Sequence, residues 1–276
     1  MDALATTLQG VNSSEVLLVE HDSSGILQLT LNRPAELNAW TYDLEASFFA
    51  ALDSAAADPS VRTVVITGAG RGFCAGASMS LLGDAPDSRP DRSVRRRLCE
   101  LAEYPKPLIA AINGAAAGIG FALAICCDLR FCAETAVLTT SFAKLGLVAE
   151  HGVAWMLPRL VGRTHAVDLL LSGRTVRGAE AEAMGLVNRS VPDHEALGAA
   201  RDYASKLIAT AAPSSWATIK RQLLDADLLT LSAAYEQAAD LMDSALVSAD
   251  HREGVQAFRH KRSPQFAPLA RTDRRT

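Results

Sequence analysis

The sequence predicts an α/β protein whose last quarter is helical. Three observations carry this. Short apolar runs such as VRTVVITG and PLIAAING end in glycine, and they alternate with stretches whose apolar residues recur at helical spacing. Beyond Arg201 the strand pattern stops and only long amphipathic segments follow.

EVLLVEHD and ILQLTLN alternate apolar and polar residues around an SSG turn signal, which predicts a β-hairpin. From Asn38 to Ala57 the apolar spacing predicts a helix, and VRTVVITG supplies the next, buried strand. A glycine turn, GAGRGFCAGAS, follows it directly. The stretch DAPDSRPDRSVRRR is polar, carries proline and arginine, and is expected to be a cover rather than core. PLIAAING repeats the strand-then-glycine unit, GAAAGIGFALAICC opens an apolar helix, and CDLRFCAE gives a third strand. RDYASKLIATA and SSWATIKRQLLDADLLTLSAAYEQAADLMDSALVS then read as helices able to pack on a neighbour. The expected division is a core carrying the site over residues 1–200 and a helical region over 201–276. Asp2 to Ser14 and Pro268 to Thr276 read as loosely ordered ends.

With 276 residues, 49% of them hydrophobic, the chain can fold without staples. Lys and Arg total 27 against 31 Asp and Glu, and the net charge of -4 disfavours a nucleic-acid partner. The five cysteines (Cys74, Cys99, Cys126, Cys127, Cys132) form no CxxC pair and have no nearby histidine, which argues against a metal site or a disulfide framework. Vicinal Cys126 and Cys127 read as small core residues, and Trp40 and Trp216 as packing. The N-terminus has neither a basic start nor an apolar core, and no run reaches the roughly 18 apolar residues of a membrane span. These features predict a cytoplasmic protein with no membrane partner.

Two turns are candidates for chemistry. GAGRGFCAGAS holds four glycines in eleven residues directly after a strand, a composition that lets backbone N–H groups converge on negative oxygen. Gly114, Gly118 and Gly120 precede a helix, and a helix N-terminus adds unpaired N–H groups and partial positive charge. Together they suggest a two-donor oxyanion hole. The dinucleotide fingerprint GxGxxG is not satisfied.

NRPAELNAW (32–40), GRGFCAGAS, KPLIAAINGAAAGIGFALAICCDLRFCAE, LPRLVGRTHAVDLLLSGRTVRGAEAEAMGLVNRSVP and EGVQAFRHKRSPQF together resemble the crotonase, or enoyl-CoA hydratase/isomerase, superfamily in order and spacing over nearly the whole chain. The resemblance implies a spiral of ββα turns, a helical C-terminal trimerisation region giving a homotrimer or hexamer, and an acyl-CoA substrate. It implies no separate cofactor, because coenzyme A is part of the substrate. It places the two main-chain donors on Ala77 and Ile119, whose loss in comparable sites costs roughly 3 kcal/mol per donor. It also implies coenzyme A contacts from Arg33, Ala35, Leu37, Cys74, Ala75, Ala77 and Gly118, and from Lys261 in the tail.

The sequence departs from the hydratases of that family at two places. The positions where they carry two glutamates hold Ala122 and Phe142. Glu150, eight residues past Phe142, resembles the single acid of the isomerase branch, which shuttles a proton from C2 to C4. Partial burial beside Leu147, Val148 and Trp155 is expected to raise its pKa. The plainer reading of Glu150 is a turn residue capping the helix that begins near Gly152. His151 is a second candidate acid or base. Ser78 is expected to cap the following helix, with a Ser78, His151, Asp128 triad as the sharper alternative. Arg89, Arg92, Arg95, Arg96 and Arg97 are expected to form a solvated face, the alternative being contact with coenzyme A phosphates. The sequence thus predicts 3-enoyl to 2-enoyl-CoA isomerisation at Glu150. The alternatives are hydration by Glu150 and His151, or a non-catalytic acyl-CoA-binding or RNA-binding relative.

Overall fold

A computed structural model describes residues 15–83 and 95–269. The predicted hairpin is β1 (Leu17–His21) and β2 (Ile26–Leu31), antiparallel, closed by Asp22, whose Oδ1 accepts the N–H of Ser24. Helix α1 (Tyr42–Ala57) starts four residues later than the apolar spacing suggests. Leu37 and Asn38 are left-handed, with φ of 50° and 58°, and Thr41 caps the helix by accepting the Leu44 N–H.

The next elements come in pairs. β3 (Thr63–Gly68) is followed by β4 (Gly72–Cys74) and α2 (Met79–Gly83). A 3-10 turn over Leu98–Glu103 leads to β5 (Leu108–Ile112), β6 (Ala115–Ala117) and α3 (Ile119–Cys126). β7 (Leu129–Ala133) and β8 (Leu138–Thr139) precede α4 (Val153–Ser172), which bends at Gly162. Then come α5 (Gly178–Ala183), β9 (Arg189–Val191), α6 (Ala196–Thr210), α7 (Pro213–Ala226), α8 (Leu231–Leu246) and α9 (Ala249–Arg259).

The first strand of each pair enters a six-stranded sheet of order β1-β2-β3-β5-β7-β9, parallel throughout except at β1. The second enters a three-stranded parallel sheet of order β4-β6-β8. Each turn of chain therefore contributes one strand to each layer, which is the expected ββα spiral. The short second layer was not legible as strands: GFC, AAA and LT carry no alternation, and they pair because the first layer stacks their starting points in register.

The main core lies between the large sheet and α1, α3 and α4. The sheet's other face is covered by α6, whose Ala200 and Ala204 pack on Ile26, Val65, Ile109, Ala111 and Phe131. Hence α6 belongs to the core, and the expected boundary at 200/201 falls inside it. Alanines at these positions let the helix approach the sheet closely. From α7, Lys220 reaches back to the core, where its Nζ sits 2.6 Å from Asp128. No helix among the described residues is long and apolar enough to cross a membrane.

Candidate active site

The three strands of the small sheet all run parallel, so their carboxyl ends open on one side, the usual place for a ligand in such sheets. Gly76 and Ala77 follow β4, Gly118 and Ile119 follow β6, and Phe142 follows β8. The turns touch: a Cβ placed on Gly118 would lie 4.0 Å from Gly76 Cα and 4.0 Å from Phe142 Cε1.

A trans peptide points its C=O and its following N–H to opposite sides. Gly76 O accepts the Trp40 N–H at 2.7 Å, so the Ala77 N–H points away from Trp40. Gly118 O accepts the Ala122 N–H at 2.9 Å along α3, so the Ile119 N–H points out of that helix's N-terminus. Neither N–H meets an acceptor among the described residues. Gly118, with φ of 50° and ψ of -111°, makes this turn possible, in a conformation that side chains rarely adopt. Gly120 brings α3 onto β4 so closely that a Cβ there would stand 1.9 Å from Cys74 O.

Two asparagines that the motif reading passed over pin the first turn. Asn38, fully buried, donates to Ala69 O and Gly72 O and accepts the Arg33 N–H. Asn113 donates to Gly68 O and Gly70 O. Their signal in the sequence was asparagine beside a strand-ending turn, a residue suited to binding nearby backbone.

The acid loop begins at Phe142, whose carbonyl accepts the Leu145 and Leu147 N–H groups. It ends on the core, where Cys126 Sγ approaches His151 O and a Cβ on Gly152 would come within 3.2 Å of Cys99 Cβ. The Glu150 side chain is 49% exposed, with Oε1 3.7 Å from His151 Nε2. Leu147, Val148 and Trp155 are all exposed too, so the apolar enclosure expected for Glu150 is absent in the single chain. Capping does not occupy Glu150 either: α4 is capped by Gly152 in a left-handed conformation without a side-chain hydrogen bond.

His151 is the buried member of the pair, its side chain 11% exposed, in a left-handed conformation with φ of 53°. Its Nε2 is buried without a hydrogen bond. Desolvation lowers its pKa against the opposing pull of Glu150 and Glu45, so the ring is neutral near pH 7.

The triad alternative does not assemble. Asp128 is held by the Leu108 N–H at 2.7 Å and by Lys220, and the charges facing His151 are Glu150, Glu45 and Arg95. Ser78 follows the capping reading, its Oγ accepting the Leu81 N–H. Arg89 and Arg92 lie outside the described residues. The other three arginines pair with acids, Arg97 staying 74% exposed as a solvated face would and Arg95 and Arg96 being partly exposed. Arg95 meets Glu45 at 3.7 Å, Arg96 meets Asp53 and Glu100, and Arg97 meets Glu100.

Of the residues expected at coenzyme A, Ala35 is exposed while Leu37, Ala75, Ala77 and Gly118 are partly exposed around the donor turns. Arg33 spends its guanidinium on Ala39 O and Glu36. Cys74 turns its thiol wholly into the core, where burial pushes its pKa up to about 12, so only its main chain faces the turn. Lys261 stands exposed just past α9. Among the described residues no cluster of three or more His, Cys, Asp or Glu could hold a metal ion.

This two-layered spiral is the crotonase fold. Over 92% of the chain it superposes on 99% of a probable enoyl-CoA hydratase/isomerase from Mycobacterium abscessus, with a TM-score of 0.84 at 33% identity. Residues 21–268 match the enoyl-CoA hydratase/isomerase family, and the chain belongs to that family of enzymes. It is 37% identical over 256 residues to the 1,2-epoxyphenylacetyl-CoA isomerase of Escherichia coli, covering 90% of this chain and 97% of the relative. It is 36% identical over 276 residues to a probable enoyl-CoA hydratase of Mycobacterium tuberculosis, covering 95% of this chain and 96% of the relative.

Proposed function

We propose that the enzyme shifts the double bond of a 3-enoyl-CoA to the 2-position, with Glu150 as its only proton carrier. The observation that carries this reading is apolar: Phe142, 4% exposed, packs against the Gly118 turn, and Ala122 is buried behind it. The resemblance puts a hydratase's two water-holding glutamates at these positions. An aromatic ring there excludes the water that hydration requires beside the donors.

In this mechanism Glu150 removes a C2 proton, and the C2–H electrons move into the thioester, whose oxygen becomes the enolate. The Ala77 and Ile119 N–H groups receive that charge without reorganising, because their directions are fixed by the strands. Glu150 then returns the proton at C4 as the double bond forms between C2 and C3, so nothing is consumed. Coenzyme A enters as the handle of the substrate, lying along Ala35, Leu37 and Ala75. The Escherichia coli relative is named an isomerase of a CoA thioester, although its named substrate is an epoxide and not an enoyl-CoA. Exposed Leu228, Leu231, Tyr235, Leu246 and Val247 support assembly into a homotrimer or hexamer through the C-terminal helices, which light scattering would measure.

The hydratase name of the Mycobacterium tuberculosis relative favours a second reading, hydration of a 2-enoyl-CoA with His151 beside Glu150. Incubation with each substrate in deuterium oxide separates the two. The proposal expects 3-enoyl-CoA to be consumed faster, with label exchanged at C2. Faster production of a 3-hydroxyacyl-CoA from 2-enoyl-CoA would overturn it.

A further inference from the structure

Glu45 belongs to none of the motifs, yet it is the only buried acid among the described residues, 8% exposed in the first turn of α1. Its Oε2 accepts the indole N–H of Trp40 at 3.1 Å, and Arg95 stands 3.7 Å from the same oxygen. The Arg95 guanidinium is itself braced over the Tyr42 ring, 5.3 Å from its centroid. The position suits a carboxylate, since the first turn of a helix favours negative charge.

Trp40 links this buried acid to the donor turn. Its ring is wholly buried and meets Phe48 edge-on at 5.5 Å. Its main chain clamps the residues on both sides of Ala77: Trp40 N–H donates to Gly76 O at 2.7 Å, and Ser78 N–H donates to Trp40 O at 2.9 Å. The first of these bonds fixes the rotation of the Gly76–Ala77 peptide, and therefore the direction of the Ala77 N–H. A Trp40 free to shift would carry the donor with it.

We propose that Glu45 is a positioning residue, which by holding the Trp40 indole aims the Ala77 N–H at the developing enolate oxygen. The inference rests on the oxyanion reading above but not on Glu150. Without the carboxylate, the indole N–H is left buried and unpaired, and Trp40 gains by moving toward another acceptor. Glutamine still offers an oxygen to that N–H. Alanine does not.

The test uses the full-length protein and a conjugated 2,4-dienoyl-CoA, whose absorption shifts to the red when its thioester carbonyl is polarised by hydrogen bonds. Wild type is expected to give the shift. Glu45→Ala should lose about half of it, with kcat down about tenfold and KM changed less than about twofold, because one of two donors is misdirected rather than removed. Glu45→Gln should recover most of the shift and return kcat to within about threefold of wild type. Trp40→Phe, which keeps a ring but lacks the N–H, should behave like Glu45→Ala and serves if that variant does not fold. Folded Glu45→Ala or Trp40→Phe protein with the wild-type shift and kcat would overturn the inference. A wild type that shows no red shift would overturn both this inference and the oxyanion reading. A wild type that shows the shift but no isomerisation would sink only the proton chemistry at Glu150, with the Glu45 role still read from the spectra.

Discussion

Replacing Glu150 with glutamine separates catalysis from structure more cleanly than any other single change. The side chain is about half exposed, caps nothing, and meets only a neutral histidine at 3.7 Å. Its loss should therefore change stability by no more than about 0.5 kcal/mol, the range of ordinary surface substitutions. On the proposed mechanism, in which Glu150 is the sole proton carrier, its removal should cost roughly 10² to 10⁴ in kcat. At about 1.4 kcal/mol per decade that is about 3 to 6 kcal/mol of transition-state stabilisation, several times the stability effect. The assay is conversion of 3-enoyl-CoA followed by absorbance, with C2 exchange in deuterium oxide followed by NMR, beside a urea titration of both proteins. Glu150→Gln turnover within about threefold of wild type, on either substrate, would remove Glu150 from the mechanism.

His151→Asn keeps a residue tolerant of the left-handed backbone and removes the ring; on the isomerase reading it should retain kcat within about threefold, whereas the hydration reading requires a larger loss. Gly120→Ala places a carbon 1.9 Å from Cys74 O, a backbone atom that cannot swing aside, and should destabilise the protein by about 2 kcal/mol or more in urea unfolding. Burial pushes the thiols of Cys74, Cys126, Cys127 and Cys132 up, three of them to about 12 and Cys127 further. Their stabilising effect is full below the unfolded thiol pKa near 9 and is lost as pH rises toward the folded values. Stability should thus fall above about pH 9 by up to about 1.4 kcal/mol per thiol per pH unit, and Cys132→Ala should flatten that slope.

The large sheet was legible because its central strands β3 and β5 are buried on both faces and read as apolar runs, VVIT and LIAAI, while β1 alternates buried and exposed residues. The second layer was not, since strands of two or three residues leave no period to detect. The turns that carry the proposed donors were legible by a different route, as glycines at strand ends, and the family resemblance placed the donors on Ala77 and Ile119 within them. What the sequence hid was the scaffolding around them. Asn38 and Asn113 are single polar residues that tie turns 31 to 46 positions away, and Glu45 stands on α1 with its partner Trp40 five positions before it, outside the helix. Such pairings become visible only when the strands have been stacked. The arginine run showed its solvated character at Arg97, but not the partners of Arg95 and Arg96 on α1, Glu45 and Asp53.

On the mechanism proposed above, Glu150 and the donors would make different demands on the chain, which fits one being held fast in the structure and the other not. A main-chain N–H works only if its direction is fixed before the substrate arrives, so Ala77 and Ile119 are held by strand ladders, by buried Asn38 and half-buried Asn113, and by the close contact at Gly120. A proton carrier must reach two carbons in succession, C2 and then C4, and a rigidly enclosed carboxylate would serve one of them poorly. The loop from Phe142 to Gly152 meets this need by anchoring both ends, at Gly118 and at Cys99, while leaving the Glu150 side chain free of strong partners. Stiffening that loop should therefore harm the second proton transfer more than the first. Gly146→Ala, which narrows the backbone freedom of a left-handed glycine between the anchors where a Cβ meets nothing within 4 Å, should slow isomerisation while C2 exchange with solvent persists, and equal loss of both would refute this division of labour.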